Sequence, residues 1–168
     1  MLEKVPYNRY LPELTTQLPR GAFLTTKWQN ELNTMTIGWG SVGVVWSRPV
    51  FTVLVRYSRH TYSLLEKAQE FTVSVPLAVD LRDALQICGT RSGRDIDKFS
   101  VCKLTARPGV TVSTPVVGEC ELHYECKVIY QQAMEPALVA EKIANRYYRE
   151  LDYHIIYYGE IQECYKTT

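Results

Sequence analysis

A chain of 168 residues whose 19 Lys and Arg nearly cancel its 18 Asp and Glu has enough length for one good core, but no sequence-wide field for nucleic acid or an anionic membrane. Any anion must therefore be bound locally. No apolar run approaches the roughly 20 residues of a bilayer span, and Glu3, Lys4, Arg9 and Glu13 stand where a secretory leader would be apolar.

These features predict a single cytoplasmic domain over residues 1–168. The cysteines Cys88, Cys102, Cys120, Cys126 and Cys164 are odd in number and scattered, without a CxxC pair or matching His spacing. A disulfide framework and a structural metal are therefore not expected, and a reducing compartment fits.

In chain order, Pro6, Pro12 and Pro19 block a continuous helix, which predicts an extended arm over residues 1–19. Arg20 to Trp28 reads as a strand, followed by a polar loop that returns at Asn33. From there to Val42, apolar Met35, Ile37 and Trp39 alternate with Thr34, Thr36, Gly38 and Gly40, the pattern of a strand with one greasy and one bare face. Ser47, Arg48 and Pro49 signal a turn, and Val50 to Val55 forms a β-branched strand. Three sequential antiparallel strands are the expectation.

The hairpin empties into Arg56, Tyr57, Ser58, Arg59, His60, Thr61 and Tyr62, just before a short helical stretch, Ser63 to Gln69. Glu70 to Val75 alternates as a half-buried strand. Leu81 to Ile87 has helical spacing with Asp80 as its N-cap. The loop Cys88 to Phe99 carries Gly89, Gly93, hydroxyls and cations that bring backbone amides toward a polar ligand, but it lacks the GxxxxGK[ST] spacing of a P-loop. Glu119 to Ala133 predicts a long strand, Pro136 to Arg149 a helix and Tyr153 to Tyr165 a last strand. Roughly six strands with hairpin connections favour a closed antiparallel barrel, which removes exposed sheet edges.

Three constellations could carry chemistry, and each has a plainer reading. Arg56, Ser58, Arg59 and Thr61 offer forked donors and hydroxyls suited to a phosphomonoester at a helix start, or they are only a solvated rim. The bare face at Thr34, Thr36, Gly38 and Gly40 could receive a flat ring, or could pack closely against another strand. Lys98 could face an electron-rich ring or pair with Asp95 or Asp97, and Cys88 reads as a packed thiol rather than a nucleophile. A strand histidine such as His123 or His154 is usually structural. An oligonucleotide-binding barrel would need aromatics interleaved with basic residues, and Tyr124, Lys127 and Tyr130 do not alternate well.

Taken together, Asn33-Thr34-Met35-Thr36-Ile37-Gly38-Trp39-Gly40, Arg56-Tyr57-Ser58-Arg59-His60-Thr61 and the run Cys88-Gly89-Thr90-Arg91-Ser92-Gly93-Arg94-Asp95-Ile96-Asp97-Lys98-Phe99 resemble the flavin reductase-like, FMN-binding split-barrel family, closest to its flavoredoxin branch. The resemblance covers roughly residues 18–165 and implies a mainly β, six-stranded Greek-key split barrel with a few short helices, assembled as a homodimer with one FMN per subunit. It places Asn33, Thr34, Met35, Thr36, Ile37, Gly38 and Trp39 along the isoalloxazine. Arg56, Ser58, Arg59 and Thr61, with Tyr62 beside them, hold the phosphate and ribityl chain, and Cys88, Gly89, Thr90, Ser92, Gly93 and Lys98 close the site.

The family often has Gly-Asp-His before its last strand, and Leu151-Asp152-Tyr153-His154 stands here with an extra Tyr and no Gly, so His154 is the implied catalytic residue near the nicotinamide. The implied activity is hydride transfer from NAD(P)H to FMN. No Rossmann fingerprint is present, so the nicotinamide would stack on the flavin. The alternatives are a flavoredoxin-like FMN electron carrier reduced by a redox partner protein, and a flavin-binding module without turnover.

Overall fold

Runs rich in β-branched and aromatic residues become strands throughout the computed structural model, which describes residues 1–168. The strands are β1 (Leu2–Lys4), β2 (Ala22–Trp28), β3 (Glu31–Ile37), β4 (Gly40–Val45), β5 (Arg48–Arg56), β6 (Glu70–Val75), β7 (Ala106–Arg107), β8 (Val116–Val117), β9 (Leu122–Ala133) and β10 (His154–Thr167). The helices are α1 (Leu11–Gln17), α2 (His60–Ala68), α3 (Arg82–Thr90), α4 (Lys98–Val101) and α5 (Glu141–Tyr147).

The main sheet runs in the order β3-β2-β6-β9-β10-β5-β4, with β1 added on β10. All its pairings are antiparallel. The two ends of this path, β3 and β4, are consecutive in sequence and joined only by Gly38 and Trp39. The chain itself therefore bridges the seam of the barrel, and no ladder does.

This arrangement corrects the expected continuous strand over Asn33 to Val42. The ribbon breaks at Gly38, and its halves pair at opposite ends of the path, β3 on β2 and β4 on β5. The hairpin turn also lies earlier than expected, at Trp46 and Ser47, whose φ values of 52° and 57° suit the primed turn that joins twisted strands. Arg48 and Pro49 already belong to β5.

Residues 1–19 are not an extended arm. Pro12 lies in the first turn of α1, where the absent N–H would have had no partner, so it starts the helix instead of blocking it. The helix drives Leu14 into the core and Leu18 follows from a 3₁₀ turn, both under 7 % exposed.

The main core lies inside the barrel around Leu24, Phe51, Val53, Phe71, Val73, Tyr124 and Tyr157. A smaller one sits on the outer side of β2, where Phe23 meets Leu85 and Cys88 of α3 together with Leu104, Val117 and Cys120. Strand β6 is consequently buried on both faces rather than half-buried. Its Thr72 hydroxyl donates to the Pro115 carbonyl at 2.7 Å, and its Ser74 hydroxyl accepts from the Val117 amide at 3.0 Å. Two carboxylates, the buried Glu125 and the half-buried Glu70, pin the covering segment: Glu125 takes the amides of Val110 to Val112, and Glu70 takes that of Thr114.

Helix α3 starts at Arg82 with Leu81, not Asp80, in the capping position, and the Asp80 carboxylate accepts from both the Arg82 amide, at 3.2 Å, and the Arg82 guanidinium. The expected helix over 136–149 shrinks to a 3₁₀ turn at Pro136–Leu138 and the two turns of α5. No helix is long and apolar enough to cross a membrane.

Candidate functional site

Because β3 ends the sheet path, its outer edge has no ladder partner, and a cleft of about 140 Å³ runs along it. Met35, Thr36, Ile37, Gly38 and Trp39 form one wall, and Leu54, Arg56, Arg59 and His154 form the rest. Unpaired strand amides and carbonyls can recognise the polar rim of a flat heterocycle as they would another strand. The face expected to be bare is nevertheless partly covered. Thr34 is fully buried, its hydroxyl meeting that of Thr25 at 3.0 Å, and the Thr36 hydroxyl donates to the Leu85 carbonyl of α3 at 2.6 Å. Of that face, Thr36 and Gly38 still line the cleft, while Thr34 does not reach it.

A second pocket of about 110 Å³ adjoins the first, with Met35 and Arg59 in both walls. Each is smaller than the roughly 300–1,000 Å³ of a whole drug-sized site, so each suits one part of an extended ligand. Asn33, Ser58, His60, Thr61, Thr90, Arg91, Ser92, Gly93 and Lys98 complete the second pocket. Arg59, Arg91 and Lys98 bring positive charge to it, and no carboxylate lines it.

The pocket is held open by bonds among its own walls. The Asn33 amide donates to the Thr61 hydroxyl at 2.8 Å, and Arg59 donates to the Gly89 carbonyl at 3.1 Å. Gly93 is required here, since a Cβ would fall 2.0 Å from the Asn33 side-chain oxygen.

Lys98 does not pair with Asp95 or Asp97. Only 5 % exposed, its ammonium donates at 2.9 Å to both the Thr34 and the Cys88 carbonyls, stapling the end of α3 to β3. Burial lowers its pKa from the ordinary lysine value.

At the far end, β10 begins with His154, buried beside Trp39 at 5.4 Å between ring centroids. Its Nδ1 shares a 2.7 Å hydrogen bond with the Tyr148 hydroxyl. Its Nε2 has no protein partner and, since no fully buried polar side-chain atom lacks one, is the ring atom that reaches solvent. Burial first, and then the Arg56 charge, push the imidazole down to about 4, so the ring is neutral near pH 7.

The segment carrying α5 lies over this end. Arg56 donates to the Asp152 carbonyl and, at 2.9 Å, to that of Tyr147, whose ring meets Trp39 edge-on at 5.0 Å. Ser58 donates to Asp152 at 2.6 Å.

Of the residues singled out by sequence, Met35, Thr36, Ile37, Gly38, Trp39, Arg56, Arg59 and His154 meet at the cleft, and Asn33, Ser58, Thr61, Thr90, Ser92, Gly93 and Lys98 at the polar pocket. Four stand apart from both linings. Tyr62 packs on Tyr57 and the core, Thr34 and Cys88 are buried, and Gly89 contributes only its carbonyl. Leu54, His60, Arg91 and the α5 segment were missed. Arg91 lies within the loop already marked, and the α5 segment carried a signal in its closely spaced Arg146 and Arg149.

An antiparallel barrel with a basic, loop-closed pocket at its seam defines the split-barrel class of fold. Residues 17–167 match the family described as the flavin reductase like domain, and the chain belongs to that family. An uncharacterized protein of Archaeoglobus fulgidus is 32% identical over 111 residues, which are 66% of this chain and 62% of that one, so the match spans less than two thirds of that relative. The flavoredoxin of Desulfovibrio vulgaris (Miyazaki F) is 26% identical with a TM-score of 0.66, covering 86% of this chain and 67% of its own. An FMN-binding domain of a flavin reductases-like enzyme from Shewanella baltica OS155 has a TM-score of 0.70 over 99% of this chain and 77% of its own, at 19% identity, a likeness of fold.

Proposed function

We propose that this protein is an FMN-dependent oxidoreductase that accepts hydride from NAD(P)H, working as a homodimer. One observation carries the reading: a carboxylate-free pocket bearing Arg59, Arg91 and Lys98 opens directly into a slot along an unpaired strand edge. That donor set fits a mononucleotide whose tail is a phosphomonoester and whose head is a flat ring with polar edges. Arg59, Ser58, Thr61, Thr90, Ser92 and the amides around Gly93 would hold the phosphate and polyol, and the Met35 to Trp39 edge would hold the ring. When bound, the flavin supplies the two-electron redox chemistry.

The chain's own groups set the surroundings of that chemistry. Lys98, fixed behind the edge, adds positive potential that favours a ring gaining negative charge. The neutral His154, with Nε2 free, offers a hydrogen bond in the cleft without adding a cation. Trp39 stands at the opening of the cleft with the Tyr147 ring edge-on against it.

The purified protein should be yellow, or turn yellow with added FMN, and Arg59→Ala should weaken FMN retention by about 1.5–3 kcal/mol, the scale of a lost charge-assisted bond. A colourless protein that excess FMN leaves colourless would remove the flavin reading. A second reading is favoured by the likeness to a flavoredoxin: an electron carrier reduced by a partner protein. Stopped-flow mixing of the holoprotein with NADPH and with NADH separates the two, because only the reductase reading predicts bleaching of the flavin.

A further inference from the structure

The largest of the principal cavities, about 390 Å³, is neither the ring slot nor the polar pocket. It is lined by Arg56, Arg59, Arg146, Arg149, Tyr147, Glu150 and Asp152, and it shares Arg56 and Arg59 with the slot. None of its four guanidiniums takes part in an ion pair; the ion pairs of the molecule involve Lys4, Arg48, His60 and Arg82. Of the two carboxylates on the rim, Asp152 is committed to the Ser58 hydroxyl and amide.

The guanidiniums are held in place by neutral contacts. Arg56 donates to the Tyr147 and Asp152 carbonyls, Arg59 to the Gly89 carbonyl and Arg149 to the Asn145 carbonyl at 2.6 Å, while Arg146 lies over the Tyr147 ring at 5.2 Å. Each keeps N–H donors to spare, since a guanidinium has five. Four guanidiniums against the two rim carboxylates, Glu150 and the already engaged Asp152, leave the cavity net positive, and an anion relieves the repulsion among them.

We propose that this cavity is a second anion site, which takes the phosphate-bearing end of the donor dinucleotide while its nicotinamide stacks on the flavin held in the adjoining slot, and that it thereby selects NADPH over NADH. The inference rests on the donor reading given above and adds to it the residues and the charge that choose between the two donors. An additional phosphomonoester is what two further forked donors, Arg146 and Arg149, are suited to recognise. Neither belongs to the flavin pocket, so donor choice can be altered without altering flavin retention.

The test uses FMN-loaded protein and two probes, adenosine 2′,5′-bisphosphate and adenosine 5′-monophosphate, with calorimetric titration as the readout. Wild type should bind the bisphosphate at least tenfold more tightly, and the double variant Arg146→Ser/Arg149→Ser should lose that preference while keeping its FMN. Arg146→Lys/Arg149→Lys should restore part of it. In turnover, the Ser variant should raise KM for NADPH at least tenfold and leave KM for NADH within about twofold.

Equal affinity of the wild type for both probes overturns the proposal, as does a Ser variant that keeps the preference or sheds FMN instead. The two layers of the argument fail separately. A preference for the bisphosphate with no bleaching by either donor keeps the anion site and sinks the donor reading. Bleaching by both donors at equal KM, with no preference between probes, does the reverse.

Discussion

His154 and His123 are both buried and both held near pKa 4, well below an ordinary histidine, and burial is the leading cause for each. The unfolded chain takes up protons between about pH 6.5 and 4 where the native rings do not, so stability falls as pH drops through that window and is unaffected by these groups above it. Between pH 7.5 and pH 5 each ring should cost about 2 kcal/mol. Urea midpoints at the two pH values measure the loss, and His154→Gln should flatten part of the slope. An unchanged slope would mean that the ring titrates normally and is charged in the cleft. The sequence placed His154 near the site through the motif around Asp152, but its lowered pKa comes from burial first and then from Arg56, nearly a hundred residues away. Lys98 was equally visible as a residue and equally hidden in role, because its partners are main-chain carbonyls, which leave no mark in a sequence.

The elements of the site were legible to different degrees. The loop from Cys88 to Phe99 announced itself through glycines, hydroxyls and cations, and its closing function follows from one contact, Gly93 against the side chain of Asn33. Gly93→Ala would drive a methyl into that oxygen, dislodging the Asn33–Thr61 bond that braces the pocket. A stability loss of about 1–3 kcal/mol is expected from the overpacking, together with weaker flavin retention. Gly43→Ala, where an added Cβ meets nothing within 4 Å, is the matched control and should stay within about 0.5 kcal/mol by thermal melting. If Gly93→Ala retains both stability and flavin, the loop is more yielding than its contacts imply. The split of the Asn33 to Val42 ribbon was not legible. Period-two alternation continues through Trp39, and only the competition between β2 and β5 for partners decides that β3 and β4 diverge at Gly38.

At the scale of the whole molecule, alternating strands and hairpin turns sufficed to indicate an antiparallel barrel, while the strand order did not follow from them. Crossovers such as β2 to β6 join segments far apart in sequence, and local periodicity does not encode which buried strand lies beside which. What the barrel leaves exposed bears on assembly. Val44 and Trp46 at the tip of the β4–β5 hairpin are 63% and 62% exposed, and Trp46 meets Tyr130 and Tyr158, with ring centroids 5.8 and 6.3 Å away. An aromatic cluster of this kind at a surface is suited to a self-complementary two-fold contact, in which each hairpin tip packs on the other copy. We propose that this face contributes to the homodimer. Light scattering behind a sizing column should give twice the chain mass, and Trp46→Ser/Tyr130→Ser should shift the protein toward the monomer while its far-ultraviolet dichroism stays unchanged. A wild type that elutes as a monomer at tens of micromolar removes the dimer. A variant that remains dimeric moves the interface elsewhere, the exposed Leu138, Ile143 and Leu151 around α5 being the next apolar group large enough to supply one.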